Sequence, residues 1–278
     1  MKRNILILFA FLACTAVQGQ TSVCLTDLRS EHLDSPIGVD NPTPRLSWRM
    51  EDSRQGAVQT SWQIVVDEDS LNVVNGCGRM WDSGRNTSRN LLVTYAGKEL
   101  RPFTKYYWKV ICGDMEHKEI ASSISCFEMG MMGMQHWQGA WIGDGKDIHH
   151  EPAPYFRKKF EAGKEIKSAR AYIAAAGLYE LYINGEKIGN HRLDPLYTRF
   201  DRRNLYVVYD VTSQLRNGDN AIGVLLGNGW YNHQSKAVWD FDRAPWRNRP
   251  TFCLDLRITY TDGSVETIPT DLSWRTAS

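Results

Sequence analysis

ARAYIAAAGLYELYINGEKIGNHRLDPLYTRFDRRNLYVVYDVTSQLRNGDNAIGVLLGNGWY, residues 169–231, decides the fold. Apolar stretches of strand length are punctuated by tight-turn residues, and no 3.6-residue period runs through them. Asn184-Gly185 signals a hairpin, because both residues tolerate the positive φ that a type I′ turn demands. Asn217-Gly218 and Asp262-Gly263 are expected to turn the chain in the same way. Working outward, strands are predicted over 155–160, 169–173, 178–183, 205–209, 221–226, 251–260 and 265–268, with a short helical turn over 210–215 capped by Asp210. Seven or more short strands describe a jelly-roll-like β-sandwich over residues 134–278.

Upstream, residues 20–133 read as a second all-β domain. Thr60-Ser-Trp-Gln-Ile-Val-Val66 alternates, which places Trp62, Ile64 and Val66 on one face. Tyr106-Tyr-Trp-Lys-Val-Ile-Cys112 does the same for Tyr106, Trp108, Val110 and Cys112, with Lys109 on the other face. Residues 120–129 follow across Gly113-Asp114 as the hairpin partner. Short strands and polar turns over about a hundred residues describe an immunoglobulin-like sandwich, and the tyrosine and tryptophan before the final hairpin resemble those of a fibronectin type III domain. Gly130-Met-Met-Gly-Met134 is the expected joint between the two. The fold class is therefore all-β, with two β-sandwich domains.

Bulk properties exclude several functions. Lys plus Arg number 33 against 32 Asp plus Glu, and a net charge of +1 gives no electrostatic reason to expect nucleic acid as partner. No segment after the N-terminus is long and apolar enough to span a membrane. Lys2 and Arg3 precede a short apolar run over 5–13, and Val17-Gln-Gly19 offers a cleavage site, so residues 1–19 are expected to be a secretory signal peptide of an exported or periplasmic protein. The alternative is a lipoprotein anchored through Cys14. Beyond Cys14, Cys24, Cys77, Cys112, Cys126 and Cys253 form neither an even disulfide set nor a Cys-x-x-Cys zinc motif. They are expected to be free thiols.

Leu178-Tyr-Glu-Leu-Tyr-Ile-Asn-Gly-Glu-Lys-Ile-Gly189, Leu193-Asp-Pro195, Tyr206-Val-Val-Tyr-Asp-Val-Thr212 and Leu226-Gly-Asn-Gly-Trp-Tyr231, in this order, resemble the N-terminal β-sandwich of bacterial α-L-rhamnosidases. Pro36-Ile-Gly-Val-Asp40 followed by Pro44-Arg-Leu-Ser-Trp48 resembles the start of the fibronectin-like domain that precedes it in those enzymes. The resemblance implies an inverting glycoside hydrolase acting on terminal α-L-rhamnose, with a rhamnose-containing glycan as partner. Its two carboxylates belong to a helical barrel that follows the sandwich. An inverting pair stands well apart, with a water between acid and base. The sequence up to Ser278 is strand-like to its end, so the resemblance carries no catalytic residue onto it and implies that the barrel and the last sandwich strands lie beyond. The expected roles of this portion are to brace the barrel and to shape the substrate's approach. The alternatives are a stand-alone carbohydrate-binding module and a structural sandwich.

Residues 229–250 are the candidate binding surface. They carry Trp230, Tyr231, His233, Trp239, Phe241 and Trp246 without clean alternation, and so long a loop is often functional. Indoles stack on the C–H faces of sugars, but they also plug sandwich ends or face a neighbouring domain. Asp240 and Asp242 would lie on one side of a strand, a possible calcium corner, against the alternative of solvated carboxylates paired with Arg243 or Arg247. Some related sandwiches hold rhamnose through calcium, using an Asp-Asn pair before the Asn-Gly hairpin strand. Ala176-Gly177 stands there and offers no side-chain oxygen. His149-His150-Glu151 reads as a polar loop rather than a metal cluster, because adjacent side chains diverge. Asn86-Thr-Ser88 matches the N-glycosylation triplet. No cofactor and no metal are expected.

Overall fold

The alternation in the sequence reappears as alternation of burial. The structure, a computed structural model, describes residues 23–237 and 239–277, so the signal peptide expected over 1–19, with Cys14, lies outside the described residues. In chain order the strands begin with β1 (Cys24–Ser30), β2 (Ile37–Val39), β3 (Arg45–Glu51), β4 (Ser61–Asp67), β5 (Trp81–Asp82) and β6 (Leu92–Thr94). They continue with β7 (Lys105–Gly113), β8 (Glu119–Ala121), β9 (Ser125–Met129), β10 (Tyr155–Ala162), β11 (Ile166–Ala176) and β12 (Leu178–Ile183). The last are β13 (Glu186–Lys187), β14 (Tyr206–Asp210), β15 (Gly218–Gly227), β16 (Thr251–Tyr260), β17 (Val265–Pro269) and β18 (Arg275–Ala277). Among the described residues the helical elements are α1 (Ser70–Val74) and short 3-10 turns at Met134–His136, Thr212–Gln214 and Phe241–Arg243. The fold is all-β.

Two compact units result. The first comprises the chain up to Asp34 with Arg45–Gly97 and Tyr107–Ser125; the second comprises Ser35–Pro44, Lys98–Tyr106 and the chain from Cys126 on. In the first, β3 pairs antiparallel with β1 and β6, while β4 pairs with β7 from Ser61 opposite Gly113 to Asp67 opposite Tyr107. Trp48, Trp62, Ile64, Val66, Trp108, Val110 and Cys112 are buried, as the alternation requires. Gln59 organises this core. It accepts from Trp48 Nε1 at 2.9 Å and from Cys112 Sγ at 2.9 Å, and donates to the Asn90 carbonyl at 2.9 Å. The reverse face is covered too: Val65 and Val73 are fully buried, and Lys109 Nζ donates to the carbonyl of Val74 at 2.8 Å, at the end of α1. A cation there suits the helix dipole while its stem lies on apolar surface. Asn86 spends its amide on the carbonyls of Gly84, at 2.9 Å, and Ser83, at 3.2 Å.

The second unit is a two-sheet antiparallel sandwich, with orders β13-β12-β15-β10-β18 and β14-β11-β16-β17. Leu181, Ile183, Ile222, Val224 and Leu226 from one sheet and Ile173, Phe252, Leu254, Leu256 and Ile258 from the other belong to one core cluster. Each such side chain contributes roughly 1.5–3 kcal/mol on burial. The reverse face of the four-stranded sheet is also covered. The Phe103 ring lies 5.5 Å from that of Tyr172 and 4.3 Å from the Arg257 guanidinium, and Asp255 accepts from the backbone of Gln138 and Gly139, both at 2.8 Å. The methionine segment, the expected joint, is hydrogen-bonded within this unit. Met131 N donates to Tyr206 Oη at 2.9 Å and Met132 N to Asp40 Oδ1 at 2.8 Å. A β-carbon at Gly130 would stand 2.1 Å from Tyr206 Oη.

The turns sort by chemistry. Asn184 and Gly185 have φ of 52° and 88°, both positive as a type I′ turn requires. The expectation that Asn217-Gly218 and Asp262-Gly263 turn in the same way is corrected: only Gly218 and Gly263 have positive φ, at 85° and 82°. At the second, Asp262 Oδ1 instead accepts the Ser264 N–H at 2.9 Å, an Asx-type bond that fixes a different turn. The helical turn is present at Thr212–Gln214, preceded by a bond from Thr212 N to Asp210 Oδ1 of 3.0 Å.

Candidate functional site

Two long connections cross between the sheets of the second unit, residues 188–205 from β13 to β14 and 228–250 from β15 to β16. Strand register places them together. β11 ends at Ala176 opposite Thr251, with Ala174 opposite Tyr206, while Leu178 at the start of β12 faces Gly227 at the end of β15. Both loops therefore gather at the sandwich end marked by Gly177. Glycine is required there: φ is +122°, and a β-carbon would stand 2.6 Å from the Gly227 carbonyl oxygen and 3.2 Å from Pro250.

The loops meet in one aromatic cluster. Phe241 is its hub, with ring centroids 5.2 Å from Trp230, 5.7 Å from Trp239, 6.0 Å from Tyr197, 6.2 Å from His233 and 6.3 Å from Trp246. Trp230 stacks on His233 at 5.1 Å and 7°. Beneath, Phe200 packs 5.2 Å from Tyr231 and 6.4 Å from Trp246. The aromatic residues of 229–250 thus divide. Trp239, Tyr197 and Trp230 are 71%, 49% and 43% exposed, whereas Phe200 is 9% exposed and, with Tyr231 and Trp246, plugs the sandwich end. Sequence reasoning missed Tyr197 and Phe200. Their loop lacks alternation as 229–250 does, and the same criterion applied to it finds them.

Buried polar contacts hold both loops. In 188–205, Tyr209 Oη donates to Asp194 Oδ2 at 3.0 Å and meets Tyr179 Oη at 3.0 Å, while His191 Nδ1 lies 2.8 Å from the same carboxylate oxygen. Burial pushes the Tyr209 hydroxyl up to about 12, so it stays a donor at neutral pH. In 228–250, the fully buried Asn232 donates to the Ile148 carbonyl at 2.9 Å and accepts from Arg247 Nε at 3.1 Å. Arg249 closes the loop. Its guanidinium meets Asp144 at 2.8 Å, with side chains 6% and 2% exposed, and also donates to the carbonyls of His150 and Pro152. Burial opposes ionisation of Asp144, but the bonds from Arg249 and the Lys146 N–H outweigh it and hold the carboxyl below the ordinary range.

The carboxylates behave differently from expectation. Asp240 and Asp242 are not on a strand. Asp240 is left-handed, with φ 52°, and Asp242 lies in the 3-10 turn Phe241–Arg243. Neither pairs with an arginine as expected: Asp240 lies 3.6 Å from Lys236, and Arg247 Nη1 reaches the backbone oxygen of Asp242, at 3.2 Å, instead of its carboxylate. Asp242 Oδ1 and Trp246 Nε1 are both buried without a hydrogen-bond partner, at a cost of roughly 1–3 kcal/mol each. No group of three or more His, Cys, Asp or Glu capable of holding a metal occurs among the described residues. In the His149-His150-Glu151 loop, His149 N bonds Asp147 at 2.8 Å and the His150 carbonyl serves Arg249. The cluster can therefore present flat aromatic faces to a ligand.

Residues 164–278 match the family described as the alpha-L-rhamnosidase N-terminal domain, and residues 25–133 match the Rha78A-like, N-terminal immunoglobulin domain. An alpha-L-rhamnosidase of Formosa agariphila is 31% identical over 98% of this chain, which covers 31% of that protein. The structure of the alpha-L-rhamnosidase from Dictyoglumus thermophilum superposes with a TM-score of 0.82 at 37% identity, covering 91% of this chain and 29% of that one. That of the Streptomyces avermitilis alpha-L-rhamnosidase, at 21% identity, shares the fold with a TM-score of 0.84 over 92% of this chain and 41% of that one. The chain spans about a third of the length of the curated relatives that it matches first. Its two matched regions are thus an alpha-L-rhamnosidase N-terminal domain and a Rha78A-like N-terminal immunoglobulin domain.

Proposed function

We propose that this chain is the non-catalytic, N-terminal part of an exported α-L-rhamnosidase, an inverting hydrolase that removes terminal α-L-rhamnose from glycosides or polysaccharides. The acid and base lie in a helical barrel outside this sequence. The two sandwiches brace that barrel, and the aromatic end of the second shapes the substrate's approach. The observation that carries this reading is the cluster itself: three solvent-facing rings, Trp230, Tyr197 and Trp239, on loops pinned by buried polar contacts. Rings held still lose little entropy on stacking against a sugar.

The test joins this chain to an α-L-rhamnosidase catalytic barrel and compares a rhamnose-bearing polysaccharide with an aryl rhamnoside. Replacing Trp230 and Trp239 by alanine is expected to lower kcat/KM for the polysaccharide about tenfold more than for the aryl glycoside, since roughly 1.4 kcal/mol of stacking is a factor of ten. Equal effects on both substrates would assign the rings to packing alone.

A further inference from the structure

A second site lies on the reverse face of the four-stranded sheet of the second unit. There a cleft of about 840 Å³ is bordered by Trp137, Trp141, Tyr206, Arg202, Arg203 and Asp201, among others. It adjoins the aromatic cluster through Phe200, which lines the cleft and packs on Tyr231.

The charges in its wall are unequally satisfied. Asp40 accepts from Tyr206 Oη at 2.7 Å and from Met132 N at 2.8 Å. Asp201 is held by Arg199 through bonds of 2.9 and 3.1 Å. Arg202 and Arg203 are exposed, and among the described residues their guanidinium groups have neither a hydrogen bond nor an ion pair. Their backbone N–H groups both donate to the Arg199 carbonyl, at 2.8 and 3.0 Å, so one turn fixes the two positions at the cleft. The cleft therefore offers, among the described residues, two guanidinium forks without hydrogen-bond or ion-pair partners, Arg202 feeling the charge of Asp201, whose carboxylate Arg199 already holds. An indole stands with them: Trp141 is 42% exposed, while Trp137 is engaged edge-on with Tyr206 at 5.6 Å and 88°.

We infer that this cleft binds the carboxylated, uronic-acid-type residues of an acidic glycan. Guanidinium forks match carboxylates in a bidentate manner, and the exposed indole face suits the pyranose ring that bears the carboxylate. Choosing a saccharide over an acidic peptide rests on reading the chain as part of a glycan-acting enzyme; the charge pattern stands without it.

Calorimetric titration of the 278-residue chain with trigalacturonic acid tests the inference, with maltotriose, inorganic phosphate and a polyglutamate peptide as comparisons. Saturable binding of trigalacturonate is expected, at least about tenfold tighter than that of the other three, and about tenfold weaker in Arg202→Ala/Arg203→Ala and in Trp141→Ala. It should also weaken on raising sodium chloride from about 0.05 to about 0.5 M, which shortens the screening length several-fold. Both arginines are exposed, so unchanged thermal melting of the double variant confirms its fold. Absence of trigalacturonate binding, binding unchanged in the double variant, or equal binding of phosphate, maltotriose or polyglutamate would overturn the site. Any of these would leave the rhamnosidase reading intact, because that reading is tested by hydrolysis.

Discussion

Arg249→Met removes the clamp beneath the aromatic loop, and its cost follows from the structure. The variant leaves Asp144, whose side chain is 2% exposed, without its counter-ion, and leaves the carbonyls of His150 and Pro152 without their guanidinium donor. Stranding a buried charge in this way costs about 3–5 kcal/mol. With a urea dependence of about 2 kcal/mol per molar for a unit of this size, the unfolding midpoint of the second unit should fall by roughly 2 M. Tryptophan fluorescence against urea reads it. The double variant Arg249→Met/Asp144→Leu removes the stranded charge and should recover at least half of the loss. The sign with pH is fixed as well. Asp144 is depressed in the fold, so the pair's contribution is complete above the ordinary aspartate pKa and is lost as pH falls through the lower folded value. The gap between wild type and Arg249→Met should therefore narrow on acidification below about pH 4. A loss under about 1 kcal/mol, no recovery in the double variant, or a gap that widens in acid would refute the reasoning.

Other consequences are equally concrete. Gly177→Ala should destabilise the second unit by roughly 2 kcal/mol or more in the same urea assay, because it combines a strained positive φ with a 2.6 Å approach to the Gly227 carbonyl; a neutral effect would contradict the packing at the site end. Thiol labelling at pH 8 should modify the exposed Cys24 and Cys77 in the native chain but reach Cys112 and Cys253 only on unfolding, since burial pushes those two thiols up to about 12 and about 11. Mass mapping of the labelled peptides checks the order.

Local chemistry made much of the fold legible. Leu178–Ile183 alternates in sequence and in burial, and Asn184-Gly185 announces its own turn. β11 reads shorter in sequence than it is: alternation suggests 169–173, whereas the strand runs Ile166–Ala176. Its Ala174-Ala-Ala176 end is buried on both faces, so no polar residue marks the period. α1 escaped notice because five residues carry no repeat, although Asp69 caps it by accepting from Leu71 N at 2.9 Å. At the candidate site, sequence reasoning located the rings of 229–250 because a long aromatic loop is conspicuous. It could not sort them, since exposure depends on Phe200, which arrives from another loop. Nor could it foresee Arg249 meeting Asp144: the two are 105 residues apart, and nothing local to either names its partner.

Incubation of the purified 278-residue chain with 4-nitrophenyl α-L-rhamnopyranoside tests the central claim most directly. The two sandwiches are predicted to release nitrophenol no faster than buffer, with hydrolysis appearing only when a rhamnosidase barrel is supplied. Catalysed release by this chain alone, abolished by denaturing it, would contradict the account.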